Sequence, residues 1–285
     1  MRPLAIVAQH PRIAFGACVL ALMLIAALAA PWLAPHDPQE QDLLNSFQLP
    51  VWSGGDASHA LGTDSLGRDI LSRLIFSTRP ALIVAFVAAL CAGILGTALG
   101  LAAGYFGGKI DSAISRLVDI WMSFPSVLLC IVLAAVLGAG LHTVVIAIII
   151  IDWTRFCRVV RAETMVQKSQ DYVASALTIG LKPGRIVASE ILPNVAPLLL
   201  TLFTLEMGIA IVVEAILSFV GLSVSSGAPT WGGIIQEGRL YVNQAWWLMA
   251  LPMACIIVAV LGLNALGDGL RDALDPVNSK FSRGR

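Results

Sequence analysis

Charge is scarce in this 285-residue chain: 13% of its residues are Asp, Glu, Lys or Arg, about half the share in an ordinary soluble domain. Lys and Arg balance Asp and Glu, so the net charge is zero and no basic footprint for nucleic acid exists. The five cysteines, Cys18, Cys91, Cys130, Cys157 and Cys255, stand singly in apolar runs or at their edges, without a C-x-x-C pair. They read as small buried hydrophobes, not as disulfides or metal ligands. The four histidines, His10, His36, His59 and His142, fall in separate segments, so no metal site is expected. H-E-x-x-H and G-x-S-x-G are also absent, and with them the usual routes to hydrolytic catalysis. Gly107-Gly108-Lys109 mimics a phosphate loop, but Ala103 replaces its first Gly and Ile110 its Ser or Thr. The chain therefore carries no ATP site of its own, and a non-catalytic role is expected.

Apolar residues, by contrast, make up 58% of the chain and the mean hydropathy is +0.85, which places it in a membrane. An all-α membrane protein with six transmembrane helices is predicted. The first span, Ile13 to Leu33, exceeds the apolar core of a signal peptide and approaches the ~20 residues needed to cross a bilayer. A polar stretch from Pro35 to Arg79 follows, in which Thr63 or Asp64 would cap an interfacial helix bearing Ile70, Leu71, Leu74 and Ile75 on one face. The second span is Ala81 to Tyr105. Its Gly96, Gly100 and Gly104 share one side of the helix, where another helix can approach closely. Lys109 to Arg116 reads as a polar turn, and Asp119 to Leu137 as a third span that tolerates Pro125 in its early turns. The fourth runs from Thr143 past Asp152, Trp153 and Arg155, the fifth from Val195 to Val220, and the sixth within Asn243 to Leu266. Trp231, Trp246 and Trp247 suit an interfacial belt. Three parts are expected: an N-terminal segment over 1–79, a transmembrane core over 80–276 with a polar loop at 168–193, and a tail over 277–285.

Positive charge sorts by loop. With the N-terminus inside, fourteen of the eighteen Lys and Arg fall on the inner side, and only Arg68, Arg73, Arg79 and Arg239 on the outer. Both termini and the loop after the fourth span are then cytoplasmic. That loop, Asp171 to Asn194, reads as a short helix, a break at Gly180 and the Lys182-Pro183-Gly184 cluster, and a second helix.

The same stretch resembles the cytoplasmic "EAA" loop of ATP-binding cassette (ABC) importer permeases, E-A-A, three residues, G, nine residues, I-x-L-P. Ala174-Ser175-Ala176, Gly180, Leu192 and Pro193 are in register, while Ala174 replaces the Glu and Glu190 the Ile. Gly62-Thr63-Asp64 through Gly67-Arg68-Asp69-Ile70-Leu71-Ser72-Arg73-Leu74, Glu214 to Leu222, and Gly267-Asp268 through Asp275-Pro276 are similar to segments of the dipeptide, oligopeptide and nickel branch of that family. The resemblance covers the chain from about residue 60 to its end. It implies the type I importer permease fold and, at Asp171, Tyr172, Ala174, Ser175, Ala176, Gly180, Lys182 and Arg185, a coupling loop that seats in a separate ATPase subunit. It further implies a second six-span permease, one or two ATPases that hold ATP and Mg, and an external binding protein. The cargo implied is a di- or oligopeptide, with nickel or glutathione as alternatives.

Two acids lie inside the fifth span. Glu206, about eleven residues in, is ~16 Å deep. Facing lipid there would cost at least ~2.5 kcal/mol, so its side chain should face the bundle or a water-filled path, or be protonated. Glu214 lies nearer the outer surface, and eight residues at 100° each put it about 80° around the helix from Glu206. Both are candidates for a substrate path. The competing use of Glu206, as the energy-coupling acid of a proton-driven secondary transporter, remains open at this point, whereas a membrane enzyme lacks any nucleophile or metal set. Asp152 is expected to pair with Arg155 or Arg116.

Overall fold

In the computed structural model, which describes residues 11–223 and 227–274, the chain is helical, with no strand among the described residues. The helices are α1 (Pro11–Leu28), α2 (Ala30–Leu33), α3 (Ile70–Phe106), α4 (Gly108–Met122), α5 (Ser126–Leu137), α6 (Leu141–Lys168), α7 (Asp171–Thr178), α8 (Pro183–Ile186), α9 (Leu192–Phe219), α10 (Trp231–Gly238) and α11 (Trp247–Leu274). A π-helical turn, Val187–Ile191, joins α8 to α9 without a break, so Pro183–Phe219 runs as one membrane-length helix. With Pro11–Leu28, Ile70–Phe106 and Trp247–Ala273 it makes four helices long and apolar enough to cross a bilayer, and the bent pair α4 and α5 would make a fifth. The 28-residue α6 is the sixth long element, apolar in its first half and charged after Ile151. Two expected pieces, Met1 to His10 and the tail from Asp275, lie outside the described residues.

α3 and α6 form the spine. A Cβ on Gly96 would stand 2.3 Å from the Trp153 carbonyl oxygen, one on Gly100 2.7 Å from that of Cys157, and one on Gly104 2.8 Å from that of Arg161. The stripe of small residues thus lets two backbones meet over two full turns, as its spacing predicts. α9 and α11 pack beside this pair, and α1 lies against α11, with Gly16 and Gly262 at the crossing. Ion pairs hold α4 on α6: Arg158 with Asp119 at 2.9 Å, and Arg161 with Asp111, whose second contact, Nη2 to Oδ2, is 2.7 Å.

Several sequence expectations are corrected. The cap before the second span is Asp69, which accepts from the Ser72 amide at 2.8 Å, and not Thr63 or Asp64. The helix it opens does not lie at an interface but continues through Pro80 as α3, with Ile70 and Leu74 buried in the core. The supposed turn at Lys109 to Arg116 is the first half of α4, and the third span is broken there by an 83° bend between Met122 and Ser126. Pro125 lacks an amide hydrogen and disfavours helical backbone at Phe124, so it starts α5 instead of continuing α4. Trp231 and Trp247 are buried, donating to the Leu74 and Thr63 carbonyls at 3.2 and 3.3 Å, and only Trp246 is exposed. All five cysteines are free, but Cys18 is exposed on α1 and only Cys130 and Cys157 are buried.

Candidate functional site

At the end of the bundle where α3 stops, α7 projects from α6 after a turn at Ser169 and Gln170. Its sequence puts apolar Val173 and Ala176 three residues apart, and both are buried in one cluster with Leu101, Tyr105, Val160, Ile186, Ile191 and Val195. α7 ends in a Schellman turn: the Leu181 amide donates to the Ala176 carbonyl and the Gly180 amide to that of Leu177. Gly180 has φ +81°, and nothing lies near its missing side chain, so glycine is needed for conformation and not for space. Tyr172 ties the helix back by donating to Gln167 Oε1 at 2.6 Å, and its partial burial pushes the phenol pKa up. Lys168 donates to the Tyr105 carbonyl at 2.6 Å, satisfying the end of α3.

The predicted loop residues therefore divide. Asp171, Ala174, Ser175, Gly180, Lys182 and Arg185 are exposed, Tyr172 is half-buried, and Ala176 faces inward. Leu177 and Ile179, which the motif did not single out, are 52% and 76% exposed and present apolar surface on the outward side. No glutamate stands at Ala174 in the outward row, and Glu190 lies in the π turn, donated to by Ser189 at 3.0 Å.

Both acids of the fifth span are buried. Glu206 receives Arg155 Nη1 at 3.2 and 3.4 Å, and the same guanidinium nitrogen stands 3.7 Å from Asp152 Oδ1. Arg155, not Arg116, is thus the partner of Asp152. This triad bridges α6 and α9, the two helices on either side of α7 and α8. Glu214 has no cationic partner among the described residues. Its Oε1 accepts Ser218 Oγ at 2.7 Å and Ser223 Oγ at 2.9 Å, the second brought round by a left-handed turn at Gly221, φ +84°. The two acids do not share a stripe, in keeping with their helical offset.

The opposite end carries a charged clasp that joins the loop, α3 and α10. Arg68 donates to Asp64 at 2.7 Å and to Glu237 at 2.7 Å. Arg73, 4% exposed, pairs with Asp64 and reaches Glu237 at 2.8 and 3.2 Å. Asp64 also accepts the Leu66 and Arg68 amides, and Thr63 donates to the Asn45 carbonyl. The polar positions of the Gly62 to Arg73 signature are explained by these bonds. Glu237 is the partner that reading along the chain missed, because 164 residues separate it from Arg73.

A coupling-type loop, a broken third span and a two-backbone spine are now in view, and comparison with known proteins decides among transporter types. Residues 96–280 match the family of the "binding-protein-dependent transport system inner membrane component", and residues 8–50 match the "N-terminal TM domain of oligopeptide transport permease C". The chain belongs to the first of these families. This permease is 41% identical to the di/tripeptide transport system permease protein DppC of Pseudomonas aeruginosa, over 94% of this chain and 89% of that one. It is 36% identical to the probable D,D-dipeptide transport system permease protein DdpC of Escherichia coli, over 92% and 86%, and 40% identical to the glutathione transport system permease protein GsiD of Salmonella paratyphi A, over 94% and 87%. The fold matches a chain of the inward-facing MetNI methionine ABC transporter, with a TM-score of 0.60 over 70% of this chain and 95% of that one at 19% identity. The type I importer permease fold is thereby established, as is a non-catalytic, multi-pass membrane subunit of an ABC importer. The likeness extends to the N-terminal segment, where the sequence motifs began only near residue 60.

Proposed function

We propose that this permease forms, with a second homologous permease, the path by which di- or oligopeptides handed over by an external binding protein cross the inner membrane. One or two partner ATPases, holding ATP and Mg, seat on the exposed face of Asp171 to Arg185, and both termini are cytoplasmic. The observation that carries the reading is the 41% identity, over nearly the whole of both chains, to a di/tripeptide permease. The outward-facing Ala174, Ser175, Leu177 and Ile179 supply an apolar patch suited to a docking groove. Glutathione is the second cargo to test, because the glutathione permease is 40% identical and glutathione is itself a tripeptide. Nickel has no comparable support among these relatives, and membership of an ABC family displaces the proton-driven alternative.

Glu206 and Glu214 enter this reading through the machinery. Glu206 is 2% exposed and held by Arg155, so a place on the peptide path requires that pair to open. Because the pair links the helices on either side of the coupling loop, its opening and closing would carry motion of α7 into the bundle. The test is ATPase activity of the reconstituted complex with its binding protein. A dipeptide or tripeptide should stimulate hydrolysis several-fold, and stimulation by Ni2+ with none by peptides would overturn the assignment.

A further inference from the structure

His36 and His59, 23 residues apart and unrelated by any motif, are brought together at the end of the bundle opposite the coupling loop. Their rings lie 4.6 Å apart, tilted by 30°, directly over Asp69. His59 Nδ1 is 3.1 Å from Asp69 Oδ1, and His36 Nδ1 is 3.9 Å from Asp69 Oδ2. One donor atom from each of the three residues lies within 4.8 Å of the others. His36 Nδ1 is buried and has no hydrogen-bond partner among the described residues. A buried, unpartnered ring nitrogen facing a carboxylate is uncommon, because the lost hydrogen bond has a cost that a ligand can remove.

We propose that His36, His59 and Asp69 bind a divalent transition-metal cation of the zinc class. Two imidazole nitrogens and one carboxylate oxygen are donors typical of a three-ligand zinc site, with the fourth position left for water. Tetrahedral donors at ~2.0–2.1 Å from the metal stand about 3.3 Å apart, so the His59 to Asp69 spacing already fits, while donors separated by up to 4.8 Å must draw together by up to about 1.5 Å, within reach of a ring rotation at His36. To bind the cation, His59 offers the lone pair of Nδ1, which requires the neutral tautomer with its one ring proton on Nε2.

The surroundings are built to hold the carboxylate. Asp69 Oδ2 accepts the Ser72 amide at 2.8 Å and Ser72 Oγ at 2.7 Å, and the same hydroxyl receives the His36 backbone amide at 3.1 Å. Ser72 therefore positions both a ligand and the chain that carries another, the role outer-shell partners play at metal sites. A polar cavity of about 130 Å³ opens beside the cluster, lined also by Glu40, Asp42 and Gly67, which gives a cation an entry path between two further carboxylates. Bound there, the metal would cross-link the segment after α2, the loop at His59 and the first turn of α3.

Binding is read on the full chain in lipid nanodiscs, without a polyhistidine tag. Co2+ should give the intense visible bands of a tetrahedral nitrogen and oxygen site at one equivalent, and Zn2+ should abolish them. H36Q and H59Q should each weaken Zn2+ binding at least tenfold, and the double variant should lose the saturable site. A wild-type chain with no such bands, or a double variant that binds unchanged, overturns the proposal. Should the variants fail to fold, diethylpyrocarbonate labelling of the wild type decides: Zn2+ should protect His36 and leave the exposed His142 as reactive as before, whereas equal labelling of His36 with and without Zn2+ refutes the site.

Discussion

At the end bearing α10, Arg73 is shared by Asp64 and Glu237, Arg68 closes the ring, and Thr63 and Asp69 add directional bonds that hold the loop before α3. At the other end α7 sits on the bundle through Val173 and Ala176, with Tyr172 as its side-chain tether to α6. Hydrogen-bonded charges admit one geometry and resist displacement. An apolar seam of small residues tolerates sliding and rotation at little cost, because dispersion and the hydrophobic effect are not directional. The clasp thus suits an anchor, and the loose seat suits the part of a transporter that receives motion from a motor.

The contrast can be broken most sharply at Arg73. R73A removes one of the two cations of the buried Asp64, leaving Arg68, and should cost about 3 kcal/mol, the low end for breaking a buried pair, lowering the thermal midpoint of the purified chain. A shift no larger than that of a surface variant would mean the clasp is not an anchor. G100V should come next. A side chain 2.7 Å from the Cys157 carbonyl forces α3 off α6, with an overpacking cost of about 1–3 kcal/mol and loss of assembled protein on size exclusion. R155A strips both Asp152 and Glu206 of their cation, and uptake should fall more than stability, since Arg155 itself is partly exposed. Equal losses in the two measurements would make the triad a packing feature.

At the loose end, G180A should cost only about 1–2 kcal/mol through the left-handed backbone it must adopt. The chain should still fold and assemble, while peptide-stimulated ATP hydrolysis declines. The smallest perturbation separates two neighbours: a cysteine replacing Ser175 should crosslink to a partner ATPase, and one replacing the inward Ala176 should not. The reverse pattern would turn α7 over on its seat.

Much of this was legible along the chain. Apolar run lengths located the long helices, the four-residue glycine spacing named the face that α3 turns to α6, and Gly180 marked the end of α7. Glu206 was expected to face the bundle, because lipid offers no partner for a charge, and it does. The misses share a cause. Thr63, Asp64 and Asp69 are all competent caps, and which one starts α3 depends on Thr63 and Asp64 being engaged elsewhere, by Asn45 and the two arginines. Whether Pro125 is absorbed or bends the chain by 83° depends on what packs around it, and whether a tryptophan lies in a belt or in the core depends on the helix beside it.

The sequence by itself therefore determined the membrane class, the order of the helices and the place of the short helix and glycine turn after α6, since hydropathy, small-residue spacing and turn chemistry act within a few turns of chain. Only the tertiary structure decided that Arg155 serves two acids, that Glu237 completes the clasp, that Ala176 faces inward, and that His36 and His59 meet over Asp69. Those contacts join residues from 3 to 169 positions apart, and a directional bond or ligand set forms only where folding brings both partners to the same point.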